Sequence, residues 1–301
     1  MFTIKRALMK KILDKKKKNQ PFDYEAAEAF TLPTDGDGTI NNSYYFSAHS
    51  AKKAQSLYVR LGLRDNGNAE VWVLFNNDKE IYSLEKMMYT LDTTPLKVAK
   101  IDGVWGFTFE GSLQNQSGKN VQAKLDFKFN SDKQPVDFFY HMPSKRTATA
   151  MAQDKWGKSY FAEVQKNNSV HYEQEGVLVG TVTIDDKKTE VELPCLRDHS
   201  YGRRVWGYMN NHVWLASVDN DLQLNFSMVS YPAMSILEVG HMRDGDSQVA
   251  FVTKASYDRN LVIQDDIPNE LSLKLTVGKD KNVQVFAKLL HYKTYIFENG
   301  G

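Results

Sequence analysis

The segment VQAKLDFKF, residues 121–129, decides the fold, because apolar and polar residues alternate through it without a break. One face carries Val121, Ala123, Leu125, Phe127 and Phe129, and the other carries glutamine, lysine and aspartate. Successive side chains of a β-strand point to opposite faces, so the segment predicts a strand with one apolar and one wet face. The pattern recurs in DLQLNFSMV (221–229) and LSLKLTV (271–277), while EVWVLF (70–75) is apolar on both faces and should be covered more deeply.

Turn segments rich in glycine, asparagine and aspartate separate these strands, and their spacing fits antiparallel meanders. Apart from the N-terminal segment, only short helices are expected, around residues 24–30 and 147–154. Strands do not alternate with long amphipathic helices, which argues against a parallel α/β sheet. Many one-sided strands, 15 tyrosines and 16 phenylalanines are typical of barrels and sandwiches. The sequence therefore predicts an all-β protein.

The composition is that of a globular protein. The 301 residues are 42% hydrophobic and 25% charged, enough for one large β-domain or two of ordinary size. No run approaches eighteen apolar residues, so no transmembrane helix is expected. The single cysteine, Cys195, cannot form an intramolecular disulfide, and the first residues lack the apolar stretch of a secretory signal. We expect a cytoplasmic location.

The N-terminal segment is strongly basic, with eight lysines and arginines against one acid up to residue 18. As a helix it would gather Phe2, Leu8, Met9, Ile12 and Leu13 in one broad arc that Lys5 interrupts. A weak contact with an anionic membrane is one interpretation, with no nucleic-acid partner expected. The lysines of that contact would be Lys10, Lys11, Lys15, Lys16, Lys17 and Lys18. A solvated, partly disordered leader is the interpretation that we favour.

These patterns predict a three-part organisation. Residues 1–20 form a short basic helix or tail, residues 21–191 a first β-barrel domain and residues 192–301 a second one. The boundary is placed near Glu192, where the alternation gives way to a dense polar motif. The last residues, YIFENGG (295–301), come where a barrel would have another strand, so the second barrel is expected to be truncated or to continue beyond this chain.

The polar motif is LPCLRDHSYGRRVW, residues 193–206. If it is extended, Arg197, His199 and Tyr201 point to one face and Asp198 to the other. Asp198 then cannot orient His199, so a Ser-His-Asp relay within the motif is geometrically poor. Asp198 could instead pair with Arg203 or Arg204 once the chain turns at Gly202.

The motif has two interpretations from its residues alone. His199 beside Tyr201 could exchange a proton near neutral pH, as an acid–base site requires. A satisfied polar network that joins two parts of the protein would use the same residue types, and we favour the network at this stage. Nucleotide-binding glycine motifs, Gly-x-Ser-x-Gly and paired zinc-ligand spacings are all absent, so neither a nucleotide site of those motifs nor a metal site is expected.

Other polar and aromatic residues are weaker candidates. Arg60 and Arg64 in LYVRLGLRD (57–65) could face a ligand, although a surface or junction role is the simpler interpretation. Tryptophans such as Trp72 and Trp214 suit a core, and also the wall of an apolar ligand site. Histidines beside apolar strands, including His171 and His212, are interpreted as ordinary β-residues.

Three segments together resemble a known superfamily. These are YEQEGVLVGTVTIDD (172–186), the polar motif, and HVWLASVDNDLQLNFSMV (212–229). The motif is similar to the Arg-Asp-His-Ser-aromatic-Gly-x-Arg-x-Trp segment of the lipocalin-like superfamily that includes carotenoid 1,2-hydratases. Tocopherol cyclases and fungal Diels–Alderase-type cyclases resemble it more distantly, and similar segments precede phosphotransferase domains in some animal proteins. Tyr201 and Val205 depart from the tryptophan and the acid that are frequent at those positions.

The resemblance implies two tandem lipocalin-like antiparallel β-barrels around an apolar pocket, and cofactor-free acid–base chemistry. It implies that a hydrophobic small molecule, isoprenoid-, polyketide- or lipid-like, binds in a barrel pocket and is hydrated, cyclised or isomerised by a lyase or isomerase. The candidate catalytic residues are then Asp198, His199 and Tyr201. The candidate ligand-binding residues are Arg197, Arg204, Trp206, Arg60, Trp72 and Trp214. A non-catalytic lipid or isoprenoid carrier and an accessory domain related to a phosphotransferase remain the alternatives.

Overall fold

The computed structural model describes residues 1–165, 169–219, 222–245, 247–258, 268–290 and 292–294. The described residues are mostly β-strand, which confirms the all-β class. The helices among them are α1 (Phe2–Asn19), α2 (Tyr24–Glu28), α3 (Ser144–Gln153) and α4 (Tyr160–Gln165). Two of these, α2 and α3, confirm the short helices that the sequence predicts. The segment YIFENGG lies outside the described residues.

The first sheet closes into a barrel. Its strands are β1 (Ile40–Ser50), β2 (Gln55–Arg64), β3 (Asn68–Asn77), β4 (Ile81–Ser83), β5 (Met88–Thr90), β6 (Leu96–Ile101), β7 (Val104–Asn115), β8 (Asn120–Asn130), β9 (Val136–Asp137), β10 (Ser169–Ile184) and β11 (Lys187–Arg203). Eight of them form the ring β11-β1-β2-β3-β4-β7-β8-β10, which closes because β10 also pairs with β11. Closure satisfies the backbone of every ring strand, as in the antiparallel barrels of lipocalins.

Large apolar side chains fill the barrel interior. The apolar face predicted for residues 121–129 points inward and is buried along its whole length. The other large interior residues include Phe46, Phe75, Phe107, Phe109, Leu57 and Leu113, each at most 2% exposed. An eight-stranded barrel is just wide enough to be filled by side chains or to hold one small ligand. Large apolar side chains point into it here, and the ligand expected in a barrel pocket stays a prediction.

The second sheet is an open antiparallel meander, and together with the closed first sheet it is consistent with the two barrels that we predicted. It contains β12 (Asn211–Val218), β13 (Leu222–Tyr231), β14 (Met234–Asp244), β15 (Ala250–Tyr257), β16 (Glu270–Val277) and β17 (Lys281–Lys288) in that order. Within the described ranges its first and last strands do not pair, so it is half a barrel with its own apolar cluster around Phe226 and Leu275. The boundary predicted near Glu192 falls inside β11, and the division into two domains stays a prediction.

The basic N-terminal segment is a helix, not the disordered leader that we favoured. Met9 and Leu13 are buried against Ala148 and Met151 of α3, which supplies the apolar partner that the sequence pattern did not reveal. None of the described helices combines the length and the hydropathy needed to cross a membrane. The cytoplasmic location stays a prediction.

Candidate functional site

Strand β11 divides the polar motif between two faces of the barrel wall. Arg197, His199 and Tyr201 point toward the interior, while Asp198 points outward to the second sheet. This confirms the predicted alternation, and Asp198 does not orient His199. The motif therefore serves two separate groups, which we call the barrel-mouth cluster (Glu28, Trp105, Tyr172, Arg197 and His199) and the junction cluster (His171, Glu173 and Asp198).

The barrel-mouth cluster surrounds the carboxylate of Glu28, which α2 places over one end of the barrel. One oxygen of Glu28 accepts hydrogen bonds from Arg197 at 2.7 Å and from the Tyr172 hydroxyl at 2.6 Å. The other oxygen accepts a hydrogen bond from the Trp105 indole. Burial opposes ionisation, but Arg197 and the neighbouring donors outweigh it and hold the pKa of Glu28 below its ordinary value. The cluster thus fastens α2 to the barrel with a buried ion pair.

His199 is a neutral member of this cluster. Its Nε2 lies 2.8 Å from Oδ1 of Asn42, its Nδ1 contacts the Tyr172 hydroxyl, and its ring stacks on Tyr44 with the centroids 4.4 Å apart. Burial and the charge of Arg197 lower the pKa of His199 to about 4. The predicted helper Tyr201 stacks on Phe30, at 4.1 Å, rather than facing a site that Asp198 shares. His199 and Tyr201 therefore do not share a site with Asp198, and their predicted catalytic role stays a prediction.

We expect Glu28→Gln to lower the free energy of unfolding at neutral pH, and to lower it much less in acid. A carboxylate whose folded pKa is lowered stabilises the fold above its unfolded value of 4.5, and this stabilisation is lost as the pH falls through the folded pKa. Denaturant unfolding of both proteins between pH 7 and pH 3.5 or so measures the difference, which should narrow below about 4.5. Glu25→Gln, on the exposed side of the same helix, is the control. A difference that does not change with pH would contradict the assigned ion pair.

The junction cluster lies on the outer face of the barrel, where the second sheet covers it. Nε2 of His171 contacts Oδ2 of Asp198 directly and lies 3.4 Å from Oε1 of Glu173. Strand pairing produces this arrangement, because β10 runs antiparallel to β11 with Glu173 opposite Asp198. Asp198 thus pairs with His171, whereas the sequence predicts a pair with Arg203 or Arg204. Arg204 donates instead to the Ser200 hydroxyl at 3.1 Å.

The pKa values of the two carboxyl groups of the junction cluster are shifted in opposite directions. Burial would raise the pKa of Asp198, but the adjacent His171 outweighs it and holds that pKa below the ordinary value. Glu173 is 0% exposed and neither of its oxygens has a hydrogen-bond partner, so burial raises its pKa despite His171. Burial also opposes the charging of His171, yet Asp198 and Glu173 raise its pKa to about 10. One imidazole therefore lies between two carboxyl groups whose pKa values are shifted in opposite directions.

Aromatic rings border the junction cluster and leave part of it open to solvent. Phe138 stacks on His171 with the centroids 4.4 Å apart, and the Tyr45 ring lies 5.3 Å from Trp214. The side chain of His171 is 25% exposed and that of Asp198 is 11% exposed. The solvent-exposed part of the junction cluster is therefore on His171 and Asp198, whereas Glu173 is 0% exposed.

Beside the junction cluster lies a buried ion network around Glu70. Its carboxylate accepts from Arg60 at 2.8 Å and from Arg64 at 2.6 Å, and from the Trp206 indole at 3.3 Å. The Arg60 guanidinium folds over Gly62, where an added Cβ would lie only 2.6 Å from it. The network holds the residues after β11 against the barrel wall. Arg60 and Trp206, predicted to bind ligand, are thus committed to this network.

The junction cluster also has the spacing of a metal site. Within the described residues, His171, Glu173 and Asp198 each offer one ligand atom, and the three atoms lie within 4.8 Å of one another. One imidazole and two carboxylates suit several divalent metals. In the structure His171 and Asp198 are in direct contact, and the absence of a metal stays a prediction.

The predicted site residues therefore fall into three places. Asp198 belongs to the junction cluster, Arg197, His199 and Tyr201 lie at the barrel mouth, and Arg60 and Trp206 contact Glu70. Trp72 and Trp214 both contact Tyr45, the strand neighbour of Asp198, and Arg204 donates to Ser200. The sequence analysis predicts His171 to be an ordinary strand residue and does not include Glu173 among the candidate site residues. The signal was present in HYEQE (171–175), where three ionisable residues share one face of a strand that should carry an apolar face.

A separate cleft of about 590 Å³ opens on the outside of the barrel. Residues 129–133 line it together with Gly176, Pro194 and Gln223. Its lining includes none of the residues predicted for the site, and one wall adjoins residues 220–221, which lie outside the described ranges.

The fold and the junction cluster define an all-β protein that combines a closed lipocalin-like barrel and an open sheet with a buried imidazole–carboxylate group between them. Residues 25–295 match the model of a family described as a domain of unknown function, DUF7064, and the chain belongs to that family. No curated protein matches it in sequence.

Two solved structures are similar to this chain in overall shape. One is a putative AttH protein from Nitrosomonas europaea, with a TM-score of 0.49 and 9% identity over 86% of this chain and 82% of that one. The other is kievitone hydratase from Nectria haematococca, with a TM-score of 0.49 and 9% identity over 88% of this chain and 79% of that one. Similarity at this level carries no argument about activity.

Proposed function

We propose that this protein is a cofactor-free acid–base enzyme that hydrates, cyclises or isomerises a hydrophobic small molecule at the junction cluster. The observation that carries the proposal is the pair of buried carboxyl groups, Glu173 and Asp198, which share His171 and whose pKa values are shifted in opposite directions. Two acids that differ in protonation state at one site are the usual arrangement for giving and taking a proton. Glu173 makes no hydrogen bond of good geometry and has His171 3.4 Å from Oε1, whereas a structural network usually satisfies each buried carboxyl oxygen.

Asp198 is the group that would touch the substrate, because it is the more exposed of the two carboxyl groups. As a carboxylate it can take a proton from carbon or from an attacking water, and His171 stabilises the charged form. Glu173, protonated and excluded from water, keeps a second proton close to His171. The half-buried rings of Tyr45, the strand neighbour of Asp198, and of Trp214 offer the apolar walls that an isoprenoid-, polyketide- or lipid-like molecule requires.

The test does not require the substrate to be known beforehand. Molecules that copurify with the protein are extracted with organic solvent, identified by mass spectrometry and returned to the protein in D₂O. An acid–base enzyme should incorporate deuterium from solvent into carbon positions of such a molecule, or convert it to a product that differs by one water or by a rearrangement. A molecule that binds and returns unchanged, without deuterium, would favour the non-catalytic carrier and contradict the proposal.

The protonation state of Glu173 gives a second, independent prediction. An acid whose folded pKa is raised binds its proton more tightly when folded, so stability falls as the pH rises from its unfolded value of 4.5. Glu173→Gln should therefore gain stability relative to the natural protein between pH 4.5 and 8 or so. Thermal melts of both proteins across this range measure it.

The neighbouring Glu175 supplies a control with the opposite sign. It faces the same way on β10, is equally buried, and accepts from His241 at 3.0 Å; this partner and Arg243 outweigh burial and lower its pKa. Glu175→Gln should accordingly be less stable than the natural protein by a constant amount between pH 4.5 and 8 or so, because the stabilisation from a lowered pKa is complete above 4.5. If both variants followed the same trend, Glu173 would not be the neutral acid of the pair.

A further inference from the structure

The N-terminal helix α1 has one apolar face that the protein covers and a second that it leaves exposed. Met9 and Leu13 of the covered face are buried among residues of α3 and of the turn between β13 and β14. Two lysines fix the helix at its ends, since Lys5 donates to the Asp154 carbonyl at 2.8 Å and Lys17 to the Met142 carbonyl at 2.6 Å. The exposed face therefore has a defined position on the folded protein.

The exposed apolar face is a continuous stripe. Ile4, Leu8 and Ile12 follow one another at four-residue intervals, which places them on one side of a helix. They are 74%, 49% and 47% exposed. Single exposed hydrophobic residues are ordinary on a protein surface, but a row of three aliphatic side chains on a helix already anchored elsewhere marks a contact surface.

Lysines without acidic partners border this stripe. Lys11 and Lys15 follow Leu8 and Ile12 by three residues, and Lys18 continues the same side of the helix. The one acid of the helix, Asp14, is paired with Lys10 at 2.6 Å. In the part of the chain that the structure describes, none of the three bordering lysines has a carboxylate within ion-pair distance.

We propose that the outer face of α1 docks on a membrane surface rich in anionic lipids. The aliphatic stripe would enter the boundary between headgroups and acyl chains, while the lysine stems extend upward and place their ammonium groups among the phosphates. A protein partner fits less well, because protein interfaces favour aromatic residues and arginine and are poor in lysine. Nucleic acid would leave the aliphatic stripe uncovered. This surface does not depend on the function proposed for the junction cluster.

Vesicle flotation with the full chain tests the proposal. We expect binding to phosphatidylcholine vesicles that contain about 30% phosphatidylserine, and little binding to phosphatidylcholine alone. About 0.5 M salt should weaken it strongly. The triple variant Lys11→Gln, Lys15→Gln, Lys18→Gln should lower the partition coefficient roughly a hundredfold. The double variant Ile4→Ser, Leu8→Ser should lower it at least about tenfold.

The controls separate this surface from charge in general. The control variant Lys119→Gln, Lys124→Gln, Lys128→Gln alters three exposed lysines of the barrel. It takes away the same charge and should leave vesicle binding unchanged. Circular dichroism melts of all variants should match, because every altered side chain is exposed. Absence of binding to anionic vesicles would overturn the proposal. Equal vesicle binding by the natural protein and the variants would also overturn it. The same holds if the protein does not bind vesicles but forms a dimer that dissociates in the double serine variant.

Discussion

Asp198→Asn should lower the rate of deuterium exchange or turnover by about 10²–10⁴-fold, the usual contribution of a positioned acid–base group. Asparagine preserves the size of the side chain and one acceptor oxygen for His171, but it cannot take or release the proton. It also removes the main charge that raises the pKa of His171, so the imidazole loses its own proton more readily. Affinity for the copurified molecule should change little, because apolar walls and not the carboxylate supply most of the binding. His171→Gln should cause a similar loss.

Glu175→Gln is the matched control for this experiment. It removes one buried carboxylate from the same strand face, two residues beyond Glu173, but from an ion pair with His241 and Arg243 rather than from the junction cluster. Exchange at saturating ligand should remain near the natural rate even where the melting temperature falls. If Asp198→Asn stayed folded and exchanged at the natural rate, or if both variants lost activity only in proportion to their loss of folded protein, the junction cluster would be structural.

Glu70→Ala should have the largest effect on stability, a loss of about 3–5 kcal/mol in the free energy of unfolding. Both Arg60 and Arg64 are only 4% exposed, and they would keep their positive charges without the carboxylate that neutralises them. The attraction of the two guanidinium groups, which outweighs burial, lowers the pKa of Glu70, so the network is charged throughout the neutral range. Since single domains are stable by about 5–15 kcal/mol, denaturant unfolding should detect this loss easily.

An exposed ion pair of the same barrel provides the comparison. Glu110 lies 2.8 Å from Lys124 across neighbouring strands, but both side chains are more than half exposed to solvent. Glu110→Ala should cost less than about 1 kcal/mol. A loss from Glu70→Ala no greater than that from Glu110→Ala would mean that solvent reaches the buried network.

Strand periodicity explains how much of the fold could be predicted. The alternation in residues 121–129 identified the inward face of β8 residue by residue, and the same rule correctly placed Asp198 opposite Arg197 and His199 across the barrel wall. Such assignments need only the geometry of one strand. Closure of the sheets could not be predicted in the same way, because it depends on which strands pair. The first sheet closes through β10 and β11, while the second remains open among the described residues.

The partners of each polar residue were the least predictable feature. Asp198 had nearby arginines in the sequence, yet its partner is His171, 27 residues away on the neighbouring strand. Glu28 meets Arg197 only because α2 folds back over the barrel mouth. An isolated acidic or basic residue has no periodic pattern in the sequence from which its partner could be predicted. In the same way, the apolar residues of α1 pack against α3, which lies more than 130 residues later in the chain.

The sequence by itself determined the secondary structure class, the two faces of each strand and the concentration of polar residues in one motif, because these depend on local spacing along the chain. Only the tertiary structure decided that the motif serves two clusters, which carboxyl group faces which cation, and that side chains fill the barrel. Pairing register and burial set those outcomes. Burial without a hydrogen-bond donor raises the pKa of Glu173, while contact with His171 lowers that of Asp198, and neither condition can be read from the identity of a carboxyl group in a sequence.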